Sequence, residues 1–552
     1  MSPSPLYEDA VALYAMARWQ EAERKLRQIL QQIPAHFGAA SLLGVILAQT
    51  HRAEEGVVLT AATVKRRPHL PELQVNHGVA LQAAGRLGEA ISVYEVALGL
   101  NPRLAVAELN LGLIWKDLGR VDEALDHYRK AILLEPDGAL QRSAYLFALN
   151  LDPSVAPEEV SREHRDWGRR LYERSDHSVG GRSPFHPGEK LRVGLVSPDL
   201  CEHPVGAFLE PLLDWFDHAQ FEFIAYADVV TPDHVTDRLM KKASAWKDIS
   251  TLTDKEAADL IRTDGIQVLI ELSGHTARNR LPLFALKPAP VQISYLGYPN
   301  TVGFPGIDHR ITDSKADIPG LNDQYYTEKL WRLPQTAWCY RAPDFFVSTN
   351  RADGPLTFGS FNQVSKISQA TILMWARVLR RIENSSLLVK SKNLRDPLAR
   401  YDLLERFLAL RVDPSRIILE GWTGTREEHF RQYTRVDVAL DTFPYHGTTT
   451  TCEALWAGVP VVTLAGRTHV SRVGVSILTS VGLVDCIANS EDHYVQCAVE
   501  LALNPERRKQ LRSELQSIMA NSPLMDGKQF AADFSRLIKS ICEHSFNGEG
   551  RM

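Results

Sequence analysis

The sequence predicts an α-helical superhelix of repeats followed by an α/β region holding two doubly wound, Rossmann-like domains. Three observations carry that expectation. Pro34, Pro68, Pro102 and Pro136 recur at a period of 34, as do Gly44, Gly78 and Gly112, and Arg18, Arg52, Arg86 and Arg120. Beyond residue 190, short apolar runs alternate with helical stretches. Between the two patterns lies a polar stretch, Pro153 to Lys190, with the Gly/Ser/Pro-rich SVGGRSPFHPG near its end.

The repeat occupies residues 1–150. Its best copies are VNHGVALQAAGRLGEAISVYEVALGLNP and LNLGLIWKDLGRVDEALDHYRKAILLEP, which place Ala90/Ala124, Tyr94/Tyr128 and Ala97/Ala131 in register. Small residues at Gly78 and Ala90 let two helices approach, Gly-Arg makes the turn, and proline ends the second helix. One such hairpin cannot bury its apolar face alone, so copies stack. The period and the G-R-x-x-E-A pattern resemble the tetratricopeptide repeat, a scaffold for binding protein segments. Residues 151–190 are expected to form a helical linker packed on the α/β region, with a helix from Pro157 to Tyr172 and a joint in SVGGRSPFHPG.

The apolar runs that follow are 191–197, 221–227, 266–273, 291–297, 356–361, 386–391, 416–421, 436–441 and 459–465. Their near-continuous Val, Ile and Leu predict parallel strands covered on both faces. They are too many for one comfortable sheet. A polar gap from Arg341 to Asp353 divides them into 191–345, an N-terminal Rossmann-like domain, and 346–552, a C-terminal Rossmann-like domain with terminal helices.

In open α/β sheets ligands bind beyond the carboxyl ends of the strands. The segments found there are PDLCEHPVG, GHT, LGYPNTVG, FNQVSK, GWTGTREEH and TFPYHGTTTT, rich in Gly, His, Thr and Lys. That composition suits a polar anion. Gly447 and Thr448–Thr451 open a short helix, Cys452 to Ala457, where unpaired amides and the helix dipole favour phosphate. One threonine suffices as an N-cap; four favour a phosphate site. Lys366 follows its strand and can supply a cation. No G-x-x-x-x-G-K-[ST], Asp-x-Asp or H-E-x-x-H occurs, so a diphosphate has to be neutralised without a protein-held metal, and no cofactor is expected.

Composition excludes other classes. The chain has 44% hydrophobic and 23% charged residues and a net charge of -5, which gives no basic stripe for nucleic acid. Six scattered cysteines show neither a disulfide nor a zinc pattern. No run approaches a membrane span and no cleavable leader is seen, so a cytoplasmic protein without membrane contact is expected. Self-association through repeat surfaces is left open.

Tetratricopeptide repeats followed by LRVGLVSPDLCEHPVGAFLEPLL, ELSGHTARNRLPLFALKPAPVQISYLGYPNTVG, FGSFNQVSKIS, REEH and DTFPYHGTTTTCEALWAGVPVVT resemble the protein O-linked N-acetylglucosamine transferase family. They are also similar to its plant SPINDLY-type branch, whose members transfer fucose. The resemblance spans nearly the whole chain. It implies a GT-B glycosyltransferase, inverting and metal-independent, that moves a sugar from a nucleotide-sugar donor to Ser/Thr hydroxyls of proteins held by the repeats.

The resemblance also implies roles. Gln363 and Lys366 would touch the diphosphate, as would Thr449 and Thr450 after Gly447 and Thr448. Glu453 would bind the ribose hydroxyls, His429 would stack on uracil, and Gly424 and Arg426 would hold the base through their backbone. Leu296 and Gly297 would line the sugar pocket. His203 matches an active-site histidine, with Asp199 four residues before it, and His164 matches a second one; the base is His203 or Asp199. Glu-His-Pro-Val replaces the Asn-His-Pro-Thr of the animal enzymes, Thr448 replaces their histidine, and their long domain between the two halves is missing here. UDP-N-acetylglucosamine is the expected donor. GDP-fucose, and an inactive repeat-based scaffold, are the alternatives.

Overall fold

The computed structural model of the chain describes residues 5–16, 18–50, 52–175, 189–352 and 354–546. The repeats form four helical hairpins: α1 (Pro5–Ala15) with α2 (Trp19–Gln32), α3 (Phe37–Gln49) with α4 (Ala53–Arg66), α5 (Pro71–Ala83) with α6 (Leu87–Leu100), and α7 (Ala105–Asp117) with α8 (Val121–Leu134). Each periodic residue has a physical task. A Cβ on Gly78 would lie 2.4 Å from the Tyr94 ring, and one on Gly112 2.5 Å from that of Tyr128, so glycine admits the tyrosine of the second helix. Gly85 and Gly119 make the turns at φ +74° and +75°. Arg18, Arg52, Arg86 and Arg120 each pair with a glutamate three residues on.

The compact unit formed by these helices also takes in Lys392–Leu403 from far along the chain. Asp396 accepts the Leu87 amide at 2.9 Å, and Arg120 pairs with Asp402 at 3.2 Å.

The second unit, Leu149–Ser391 with Leu404–Met552, carries two parallel sheets. The first contains β1 (Leu191–Ser197), β2 (Phe221–Ala227), β3 (Ala245–Asp248), β4 (Val268–Glu271), β5 (Val291–Ser294), β6 (His309–Asp313) and β7 (Lys329–Leu333), in the order β3-β2-β1-β4-β5-β6-β7. The second contains β8 (Leu356–Ser360), β9 (Ser385–Lys390), β10 (Ile417–Glu420), β11 (Val438–Leu440), β12 (Val461–Leu464) and β13 (Ile487–Ala488), in the order β10-β9-β8-β11-β12-β13. Every pairing between neighbours is parallel. Strand order reverses between β1 and β4 in one sheet and between β8 and β11 in the other, and such reversals open ligand crevices.

One departure from the sequence reading concerns packing. The last described helix, Gly527–Phe546, belongs to the core of the first sheet rather than the second: Phe530, Phe534, Ile538 and Ile541 join Leu191, Val193 and Ile293 there. The linker helix, α9 (Pro157–Glu173), runs as expected and lies on the first α/β domain; its Ser161 hydroxyl donates to the Tyr325 carbonyl at 2.7 Å. The joint placed in SVGGRSPFHPG lies outside the described residues. No described helix is long and apolar enough to cross a membrane.

Candidate active site

At the β8/β11 reversal, the chain leaves β8 through Phe361 and Asn362, and Gln363 starts a short turn, Val364–Lys366. Gln363 is exposed. Lys366 points back across the crevice: its Nζ donates to the His446 carbonyl at 3.0 Å and lies 4.1 Å from the centre of the Tyr445 ring. Burial lowers its pKa to about 8, against the attraction of Asp441. That carboxylate is already occupied. Its Oδ1 accepts from the Thr442 and Gly447 amides at 2.9 and 2.8 Å, and its Oδ2 from the Thr463 hydroxyl at 2.8 Å. Lys366 is thus a cation bound by a carbonyl and a ring, with no ion pair among the described residues.

Beside it the helix Thr449–Trp456 begins at Thr448, whose side chain makes no capping bond. Capping therefore does not explain the threonines. Thr450 donates to Asn362 at 2.7 Å and Thr451 to the Gly447 carbonyl at 3.0 Å, whereas the Thr449 hydroxyl is buried and bonded to nothing among the described residues. A Cβ on Gly447 would lie 2.4 Å from the Thr450 hydroxyl, so glycine is needed for this close turn. A lysine, a free hydroxyl and a helix N-terminus converge here, and together they suit an oxyanion.

One helix turn further, Glu453 is buried and its Oε2 faces His429 Nε2 at 3.0 Å. His429 lies in the helix Arg426–Gln432, capped by Thr425 and Glu428, with Gly424 exposed just before it. Arg426 opens that helix and stands 5.9 Å over the Phe430 ring. Phe361, Phe430 and Tyr433 meet the His429 ring at interplanar angles of 66°, 89° and 86°. Lys390, the last residue of β9, places Nζ 2.6 Å from His429 Nδ1. The sequence reading missed Lys390; a lysine closing the run Leu387-Leu388-Val389 at a strand's carboxyl end was the available signal.

At the β1/β4 reversal, the stretch after β1 carries Asp199 and His203. His203 caps the helix α10 (Pro204–Trp215): its Nδ1 accepts the Val205 amide at 3.3 Å and stands 3.7 Å from Asp199 Oδ2. In that tautomer the proton of a neutral ring sits on Nε2. The His203 side chain is 41% exposed and that of Asp199 20%. Burial lowers the His203 pKa, with Asp199 pulling it up, and burial raises that of Asp199. Glu271, closing β4, accepts the Ser273 and Gly274 amides at 2.5 and 2.6 Å; its other oxygen and the Ser273 hydroxyl are buried without partners among the described residues. Burial raises Glu271 to about 7.

Leu296 and Gly297 lie over this strand end. Leu296 holds φ +71°, and a Cβ on Gly297 would lie 1.8 Å from the Leu272 carbonyl. His164, expected from the resemblance as a second active-site histidine, has no exposed surface, with Nδ1 on the Val160 carbonyl at 2.7 Å and Nε2 on the Tyr298 hydroxyl at 2.8 Å. Burial lowers its pKa to about 3, so it is a neutral wedge between α9 and the loop after Gly297. A cavity of about 310 Å³ opens nearby, lined by Asn300, Tyr325, Phe443, Arg467 and His469, and none of the sequence-derived site residues lines it.

Comparison with known proteins adds independent findings. The sequence profile described as glycosyl transferase family 41 matches residues 178–347 and 349–534, and a tetratricopeptide repeat profile matches 105–137. The chain is 38% identical over 427 residues to the probable UDP-N-acetylglucosamine–peptide N-acetylglucosaminyltransferase SPINDLY of Petunia hybrida, covering 75% of this chain and 45% of that protein. It is 32% identical to the Arabidopsis thaliana protein SEC, named likewise, over 63% of this chain and 36% of that one. The chain thus spans less than half the length of these plant relatives. A mutant O-GlcNAc transferase of Thermobaculum terrenum superposes with a TM-score of 0.86 at 30% identity, over 93% of this chain and 99% of that one.

Proposed function

We propose, for a chain that belongs to glycosyl transferase family 41, the transfer of N-acetylglucosamine from UDP-N-acetylglucosamine to Ser or Thr hydroxyls of protein acceptors. The observation that carries this reading is a Lys366 ammonium without an ion pair, and a Thr449 hydroxyl without a partner, among the described residues at a helix N-terminus. The acceptor oxygen attacks the anomeric carbon from the face opposite the nucleotide, so configuration inverts. The bond to the diphosphate breaks, and its charge is received by Lys366, Gln363, the Thr449 and Thr450 side chains and the helix amides. Glu453 takes the ribose, His429 the face of the base, and Gly424 and Arg426 its edge, while Leu296 and Gly297 wall the sugar. The acceptor proton leaves toward Asp199 or His203. For His203 Nε2 to accept it, Nδ1–H must turn to Asp199 in place of the Val205 bond. No protein-held metal is required in this scheme, the repeats present acceptor segments, and the cytoplasm is the compartment.

GDP-fucose as donor is the second reading, favoured by the SPINDLY-like wording of DTFPYHGTTTTCE and YPNTVG. Calorimetric titration with UDP and with GDP, in buffer containing EDTA, tests both. Tight UDP binding alone supports the first reading and the metal-free site, and GDP binding alone supports the second. Binding of neither leaves a scaffold with an inactive transferase region.

A further inference from the structure

Lys390 is only 5% exposed, yet among the described residues its ammonium meets an imidazole rather than a carboxylate at bonding distance. An ammonium group has only N–H to offer, so His429 Nδ1 has to accept. On the other side of the ring, Glu453 Oε2 faces Nε2 at 3.0 Å, and a carboxylate has only lone pairs to offer. Neighbours from two different elements, β9 and the helix Thr449–Trp456, thus demand one tautomer and fix the ring plane. The three aromatic side chains around His429 meet it at steep angles, and none lies flat against it. Lys390 is itself placed by Phe361, whose ring centre is 5.7 Å from Nζ. Burial draws the Lys390 pKa down, while Glu453 and Glu420 hold it up.

We propose that Lys390 is a positioning residue of the nucleotide site, which fixes His429 as the neutral Nε2–H tautomer with its face presented to the nucleobase. This rests on the reading in which His429 meets the base. Lys390 acts through the ring: without it, Nδ1 loses its donor, the imidazole can turn about its Cβ–Cγ bond, and Glu453 loses a fixed partner beside the ribose.

The test combines ring spectroscopy with titration. Nitrogen-15 spectra of histidine-labelled protein, with the His429 signals assigned from His429→Gln, are expected to show Nδ1 unprotonated and Nε2 protonated. In Lys390→Met that signature should give way to a mixture of tautomers. Binding of UDP or GDP, whichever the wild type takes, should weaken about tenfold in Lys390→Met, with the donor KM raised and kcat held. Lys390→Arg, which keeps a cationic donor, should recover binding to within about threefold. A wild-type ring protonated on Nδ1, or wild-type affinity in Lys390→Met, overturns the proposal. If the wild type binds neither nucleotide, the donor reading falls and takes this inference with it, even where the ring signature is as described.

Discussion

At the β1/β4 reversal the strand ends carry Asp199, His203 and Glu271; at the β8/β11 reversal they carry Lys366, Thr449 and His429. The backbone plan is the same in both. The first crevice collects groups that exchange protons, and burial drives each toward its neutral form: the carboxyls upward, the imidazole downward. The second collects donors: a half-buried ammonium with no ion pair among the described residues, a buried hydroxyl with no partner among them, and a helix N-terminus. One topology therefore places two different sets of groups, decided by a few residues at strand ends. In the proposed reaction the acceptor loses a proton and the donor a diphosphate, and the two sets match these two events.

The largest expected effect breaks the second crevice. Lys366→Met should lower kcat by roughly 10²–10³, about 3–4 kcal/mol of transition-state stabilisation. Far-UV circular dichroism should stay unchanged. Near-normal turnover would mean that the Lys366 cation does not face a departing anion, and the contrast between the crevices would fail with it.

In the first crevice Glu271 offers a stability test. Its carboxyl titrates near 4.5 when exposed and near 7 when folded. A raised pKa means that the folded form binds its proton more tightly. The stabilisation is complete below pH 4.5 and lost as pH rises through 7, a change of about 3 kcal/mol. Glu271→Gln should therefore melt higher than the wild type at pH 8, and the gap should close toward pH 4.5. A gap that does not vary with pH would show that Glu271 is ionised in the folded protein. Asp199→Asn gives a smaller, signed effect on rate. The Asp199 charge holds the His203 pKa up, so its removal should move the acid limb of kcat/KM to lower pH; a limb that stays in place would separate His203 from the rate.

The two crevices were unequally legible in the sequence. The anion side follows from residue types that keep their meaning out of context: glycine before a row of threonines, and lysine after an aliphatic strand. The proton side depends on burial, which no local pattern records. His164 sits on an ordinary-looking helix, and only the tertiary fold takes away its solvent and gives both nitrogens partners. The strand β6, HRITD, was missed because hydropathy cannot foresee that Arg310 is buried on the Ser294 hydroxyl and the Tyr298 carbonyl, at 3.2 and 2.5 Å. The short edge strand β3 and the polar edge strand β7 escaped for lack of an aliphatic run. The last helix shows a non-local choice, since its apolar stripe fits either sheet and only packing selects the first.

The smallest prediction separates binding from stability at one atom. A buried hydroxyl without a partner costs free energy in the unliganded protein, because it gave up water and received nothing. Thr449→Val keeps the shape and removes that hydroxyl. If Thr449 Oγ1 serves a phosphate oxygen, the substitution should raise the free energy of unfolding and weaken nucleotide binding, each by about 1 kcal/mol, the latter roughly fivefold in Kd. The opposite signs are the test. A general loosening of the helix start would lower both quantities together, and a hydroxyl that merely packs against the wall would leave Kd untouched. Only a donor held ready for an absent anion gains stability and loses affinity when it is cut away.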